Sequence, residues 1–146
     1  MFERYTDCAR RTIFLSRYEA GKVGSDYIET EHLLLGALRE NGAFRNRLPD
    51  GAADQIRRRI AERALKAAPH KTSVDLPLSA DAKKALDYAA QEHLALHHTH
   101  IDTWHLILGV LRIENSMAAG LLREFGIEYA DFRATPLDFT RPNPLT

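Results

Sequence analysis

A chain of 146 residues, 45% hydrophobic and 27% charged, has room for one compact domain with a real core and none for a second full-sized catalytic domain. Its 20 basic and 20 acidic residues cancel, so no whole-molecule field draws it onto nucleic acid or an anionic membrane, and no apolar run approaches the roughly 18 residues a membrane span needs. The charged start MFERYTDCARR resembles no signal peptide and the single Cys8 cannot form an internal disulfide, from which a cytoplasmic, reducing location is expected.

Along the chain, Thr6 stands as an N-cap before a helical stripe of Cys8, Ala9, Thr12, Ile13, Ser16 and Ala20, with Asp7 near the positive end of the helix dipole. Gly21 and Gly24 loosen the end of that helix. Thr30 is then placed to cap a second one with the stripe Leu33, Leu34, Ala37 and Leu38. A short helical turn over 44–48 follows, Pro49-Asp50-Gly51 breaks the chain, and Ile56, Ile60, Ala64, Leu65 and Ala68 trace a further helix. Residues 69–77 (PHKTSVDLP) carry turn-formers without periodicity and read as a linker.

The same order then recurs. Ser79 caps a helix with the stripe Ala82, Ala85, Leu86, Ala89 and His93, Thr103 caps the next with Leu106, Ile107, Val110 and Leu111, and a helical stretch covers 117–125. The last helix of this second half is expected to be short, because Thr135-Pro136 and the run Thr140-Arg141-Pro142-Asn143-Pro144 cannot continue one. Residues 135–146 read as an extended tail, and no segment alternates as a strand does.

A shift of 73 positions lays 6–48 on 79–121 without a gap, and eight of the twelve residues at 28–39 are identical to those at 101–112. The chain is a tandem repeat, with repeat 1 at about 4–68, repeat 2 at about 78–134 and a single domain over 1–134. Two helical units that pack their leucine stripes together make an all-α, pseudo-twofold bundle of about eight helices from two four-helix repeats.

Candidate chemistry is sparse. His93, His97, His98, His100 and His105 crowd into one stretch, and the i, i+4 spacing of His93 and His97 can place two imidazoles on one zinc ion. Few carboxylates beyond Glu92 and Asp102 lie near, and no cysteine. The plainer reading makes His32 and His105 structural, each hydrogen-bonding the helix next to it. Cys8 on a buried stripe offers no oriented nucleophile, and no Gly-x-x-x-x-Gly-Lys-Ser/Thr occurs, which excludes nucleotide hydrolysis. No catalytic residue, metal or cofactor is expected, and the chain is not read as an enzyme. Arg57, Arg58, Arg59, Arg63 and Lys66, interleaved with Glu62, read as a solvated helix face. Trp104 is either an exposed binding residue or a ring buried in an altered groove between the repeats.

Three pieces carry a resemblance: the start Met1-Phe2-Glu3-Arg4-Tyr5-Thr6, the Gly-Ser-Asp-Tyr-Ile turn at 24–28, and Thr30-Glu31-His32-Leu33-Leu34-Leu35-Gly36-Ala37-Leu38 with its second copy. Over about 2–134 the chain resembles the Clp N-terminal repeat domain, which precedes the ATPase modules of the Clp unfoldases ClpA, ClpB and ClpC, and it is most similar to the ClpC-like branch. The resemblance implies an eight-helix bundle that recruits protein substrates or adaptor proteins for an unfoldase and its protease. Clp ATPase and protease components are then further partners, with no role for nucleic acid or membrane.

In the ClpC-like branch it further implies a pocket for phosphoarginine in each repeat. Glu31 would pair with the guanidinium-like group while Thr6 or Thr30 and helix-start N–H groups take the phosphate, with Ser79, Thr103 and Trp104 as counterparts in repeat 2. Trp104 stands where the pattern has glutamate, His100 matches Tyr27, and Glu29 and Asp102 stand where the family often has glycine. An alternative reading is a stand-alone regulator that competes for adaptors or modulates a Clp machine. The chain is equally compatible with being a piece of a longer unfoldase.

Overall fold

Residues 2–40, 42–64, 67–71 and 75–136 are described by the computed structural model. They form α1 (Asp7–Lys22), α2 (Thr30–Glu40), a 3-10 turn (Arg45–Arg47), α3 (Ala52–Arg63), α4 (Ala80–Ala95), α5 (Thr103–Leu111), α6 (Met117–Glu124) and α7 (Tyr129–Ala134). The fold is all-α as expected, with seven α-helices and one 3-10 turn among the described residues. No helix of these residues is long and apolar enough to cross a membrane.

The first helix of each half starts as the sequence dictates. The Thr6 and Ser79 hydroxyls accept the N–H groups of Ala9 and Ala82, each at 3.1 Å. In both halves the helix pair then closes to backbone contact at a glycine. A Cβ on Gly36 would lie 2.2 Å from Ser16 Oγ and 2.4 Å from the Thr12 carbonyl, and one on Gly109 would lie 2.0 Å from the Ala85 carbonyl. These contacts are equivalent under the 73-residue shift, and any side chain at either glycine would push the helices apart.

Each hairpin also buries a carboxylate against the guanidinium of its second helix. Glu19 Oε1 accepts Arg39 at 3.1 Å, and Glu92 accepts Arg112 at 3.5 Å and Arg133 at 2.7 Å, with the Tyr129 hydroxyl also donating to Glu92. Ring and cation complete the second set, Arg112 lying 3.9 Å over Tyr88. A buried charge survives only when paired in this way. α5, buried at every residue, runs through the middle of the bundle.

Several local expectations are corrected. Thr30 and Thr103 are the first helical residues rather than caps, and both are buried. Thr103 Oγ1 is bonded to Thr12 Oγ1 at 3.0 Å, across the two halves. His32 and His105 reach back to their own helix start: their Nδ1 atoms accept the Glu29 and Asp102 N–H groups at 2.9 and 2.8 Å. Both are structural as expected, but they serve the backbone at the start of their own helix, the capping task expected of Thr30 and Thr103, rather than bonding the neighbouring helix through these atoms.

The helix expected to run through Ala68 ends at Arg63, with Ala64 extended. From there the chain returns across the end of α1, where His70 N–H donates to the Gly21 carbonyl at 2.9 Å. Ala68 passes so near Gly24 that a Cβ there would lie 2.5 Å from its carbonyl oxygen. A continuing helix would carry this segment away from that contact. Leu65 of the expected stripe and Lys66 of the expected basic face lie outside the described residues, as do 137–146 of the expected tail; Thr135 and Pro136 are non-helical.

Candidate functional site at paired helix starts

The short segments that lead into the helices are extended, and they pair between the halves. Thr6 N–H donates to the Ile101 carbonyl at 2.9 Å and Ile101 N–H to the Arg4 carbonyl at 2.8 Å. The shift-equivalent bonds run from Ser79 N–H to the Ile28 carbonyl at 2.9 Å and from Ile28 N–H to the Pro77 carbonyl at 2.8 Å. Two isolated parallel bridges result, Tyr5 with Ile101 and Ile28 with Leu78. The start of α1 therefore lies beside the start of α5, and the start of α4 beside the start of α2.

This regroups the candidate residues. Read by repeat, Thr6, Thr30 and Glu31 belonged to one pocket and Ser79, Thr103 and Trp104 to the other. The structure instead bonds Thr6 to Ile101 and Asp102, at the end where Thr103 and Trp104 begin α5, and Ser79 to Ile28, at the end where Thr30 and Glu31 begin α2.

At the α2–α4 end, a cleft of about 470 Å³ opens against Tyr27, Glu29, Glu31, His32, Arg63 and Met117. Glu31 is half-buried, its carboxylate meeting the Thr30 hydroxyl at 3.5 Å and making no ion pair among the described residues. Tyr27 is 51% exposed, so its ring face is open. Burial holds the His32 imidazole below its ordinary pKa against the opposing pull of Glu29 and Glu19, which keeps it a neutral acceptor for the backbone. Carboxylates beside an open phenol ring suit a planar cation, and a guanidinium meets both requirements. Thr30 and Ser79 do not line the cleft; they set the positions of the helix starts behind it.

The α1–α5 end is filled. Thr6 Oγ1 donates to Asp102 Oδ1 at 2.6 Å, tying the two helix starts together. Trp104 is fully buried, donates its indole N–H to the Phe132 carbonyl at 3.1 Å, and meets the rings of Phe132 and His98 at a tilt and that of His105 edge-on. Of its two readings, burial is the observed one. An indole in place of the mate's carboxylate has become part of the core.

The histidines around it are interior too. His98 Nδ1 and His105 Nε2 are 2.8 Å apart, and His93 is buried with neither ring nitrogen hydrogen-bonded among the described residues. Burial pushes His105 down to about 3 and lowers His93 and His98, each helped by neighbouring imidazoles or, for His93, by Arg4. His93 and His97 do not converge, since His97 is exposed at a left-handed φ of 57°. Among the described residues no group of three or more His, Cys, Asp or Glu is placed to hold a metal ion.

Cys8 is half-buried rather than buried, with Arg11 Nη2 at 3.3 Å from its sulfur. Burial and then Glu40 push its thiol up to about 11, away from nucleophilic chemistry. The basic face of α3 is partly engaged, Arg57 with Asp54 at 3.6 Å and Arg59 with Glu124. Arg63 lines the cleft, a role not visible in the sequence because its nearness to Tyr27 depends on how α3 folds back. The exposure of Tyr27 was signalled only by its place inside the Gly-Ser-Asp-Tyr-Ile turn.

With this geometry in place, comparison with known proteins gives a consistent answer. The family model described as the Clp repeat (R) N-terminal domain matches residues 4–135. Over 136 residues the chain is 29% identical to an ATP-dependent Clp protease ATP-binding subunit ClpA homolog of Cyanidium caldarium, and over 135 residues 30% identical to the chloroplastic chaperone protein ClpC2 of Arabidopsis thaliana. These alignments cover 92% and 91% of this chain but 16% and 14% of the relatives. The N-terminal domain of ClpD from Arabidopsis thaliana superposes with a TM-score of 0.67 at 26% identity, covering 92% of both chains. The Hsp104 N-terminal domain from Candida albicans shares the fold, with a TM-score of 0.67 at 16% identity over 90% of this chain and 88% of that one.

Proposed function

The chain belongs to the Clp repeat (R) N-terminal domain family, and from that premise we propose that it is a docking module that recruits protein substrates or adaptor proteins for a Clp-type AAA+ unfoldase, without catalysis of its own. The observation that carries this reading is the cleft at the α2–α4 end, where Glu31 and Tyr27 stand open beside two joined helix starts. A guanidinium entering the cleft is taken by the Glu31 carboxylate and covered by the Tyr27 ring, and an attached phosphoryl group is favoured by the positive start of α2. Phosphoarginine on a protein has both parts, which makes it the ligand class this cleft fits. The α1–α5 end offers no equivalent carboxylate, so one site per chain is the expectation.

The reading without catalysis is supported by the Cys8 thiol, pushed up to about 11, by the burial of His32, His93 and His105, and by the lack of a Gly-x-x-x-x-Gly-Lys-Ser/Thr run in the sequence. The test is fluorescence anisotropy with a labelled, permanently unfolded protein, with and without arginine phosphorylation. Saturable binding that is tighter for the phosphorylated form, and weakened about tenfold or more by Glu31→Ala, is the expected result. No binding of either form would overturn direct substrate recruitment.

A further inference from the structure

Away from the cleft, α1 carries two aromatic side chains one turn apart on its outer face, Phe14 at 61% and Tyr18 at 40% exposure. Beside them runs a groove of about 250 Å³. Phe14, Arg17, Tyr18 and Lys22 form one wall, and His70 and Lys71 from the segment before α4 form the other. Leu76 closes it from beneath, packed in turn on the core.

The repeat shows that the fold does not require these aromatics. The positions equivalent to Phe14 and Tyr18 in α4 are Asp87 and Gln91, both exposed, on a helix that packs against α5 through the same glycine contact. Two aromatic rings left in water where the sister helix is polar therefore serve something other than packing, and rings of this kind are enriched where partners anchor.

Charge says what kind of partner. Every ionisable group among the described residues lining the groove, tyrosine aside, is a base. The Arg17 guanidinium sits 5.6 Å over the Phe14 ring and that of Arg39 4.8 Å over Tyr18. Lys22 is held by Glu19 at 3.2 Å and His70 by Asp26 at 3.3 Å. Among the described residues Arg17 pairs with one acid, Asp75 at 3.4 Å, itself 97% exposed and so a readily exchanged partner, and Lys71 has no ion pair. At about 250 Å³ the groove lies below the ~300–1,000 Å³ of small-molecule sites and fits an anchoring side chain.

We propose that this groove is a second docking surface, taking a short acidic peptide segment of a partner protein that inserts one apolar anchor beside Phe14 and Tyr18. Its carboxylates meet Arg17, in exchange for Asp75, and Lys71. The proposal rests on the docking-module reading but concerns a different face of the molecule.

The test is selection of random peptides of about twelve residues from a displayed library on the intact protein, followed by anisotropy of the enriched peptides on variants. Phe14→Asp with Tyr18→Gln installs the residues of the sister helix, Arg17→Glu with Lys71→Glu reverses the charge, and Glu31→Ala alters the other site. Thermal unfolding confirms that each variant folds. Enriched peptides are expected to be acidic with an apolar anchor, to bind about tenfold or more weaker to both double variants, and to bind Glu31→Ala unchanged. Failure to enrich, enrichment of neutral or basic peptides, or binding that survives either double variant would overturn the proposal. Peptides lost with Glu31→Ala alone occupy the cleft, which overturns this surface and leaves the docking reading standing. Loss of phosphorylated-substrate binding in the earlier experiment leaves this groove's result unaffected.

Discussion

The α2–α4 end and the α1–α5 end are built from equivalent backbone hydrogen bonds, yet one opens into a cleft beside Glu31 and the other is filled around Trp104. Duplication therefore preserved the scaffold while one position, 31 against 104, separated a polar opening from a packed interior. The lesson concerns where function resides in a repeat protein. Backbone pairing and glycine contacts hold both ends alike, and the side chain at the start of the second helix distinguishes the open end from the filled one.

Exchange of these two residues breaks the comparison most severely. Trp104→Glu removes a fully buried indole with its bond to Phe132 and places a carboxylate among buried histidines; a loss of about 3–5 kcal/mol by urea unfolding is expected. The reciprocal Glu31→Trp, at a half-buried cleft wall, is expected to stay within about 1 kcal/mol of the parent. Equal costs would show that the two ends do not differ as described.

Next in size are the glycines, where the halves should behave alike. Gly36→Ala and Gly109→Ala each drive a methyl into backbone atoms of the facing helix, and each is expected to cost up to about 3 kcal/mol in the same assay. A clear asymmetry, with one of the two tolerated, would mean that one hairpin can relax where the other cannot.

Acid sharpens the contrast between the ends. His105 titrates at about 3 in the folded protein against about 6.5 when unfolded, so the unfolded chain binds more protons between these values. Its contribution to stability is complete above about pH 6.5 and falls as pH drops toward 3, a loss on the order of 2 kcal/mol from pH 7 to 5. His93 and His98 act in the same direction, and His32 does so in the first half. Urea unfolding at pH 7 and 5, followed by the emission of Trp104, should show the loss, and His93→Leu should lessen the slope. A stability unchanged over this range would contradict the buried imidazole cluster.

The smallest effect concerns the turn after the first helix of each half. Gly24 takes φ 72° there, and the equivalent His97 takes φ 57°, where a side chain is strained. His97→Gly is expected to stabilise by about 0.5–1 kcal/mol, and Gly24→Ala to destabilise, because Ala67 and Ala68 crowd that glycine.

Much of this fold was legible in the sequence. The 73-residue shift aligns helix starts, leucine stripes and the Gly36 and Gly109 contacts because each rests on side-chain identity or its absence. The regrouping of Thr6 with Asp102 and of Ser79 with Glu31 was not legible, since backbone N–H and carbonyl groups pair without a residue signature. Trp104 left its two readings open because an indole suits a binding surface and a core equally, and only the nearness of Phe132, 28 residues on, decides between them. The structural role of His32 and His105 was legible but their partners were not, for a similar reason: position near a helix start is visible, whereas the direction of the ring is not.

The central claim, that the cleft at the α2–α4 end is the ligand site and its counterpart is closed, is tested most directly by amide chemical-shift mapping with phosphoarginine, with arginine as control. Phosphate-dependent shifts are expected around Tyr27, Glu31 and Arg63 alone, with the Trp104 indole N–H unmoved. Shifts centred on Thr6, Asp102 and Trp104 would contradict it.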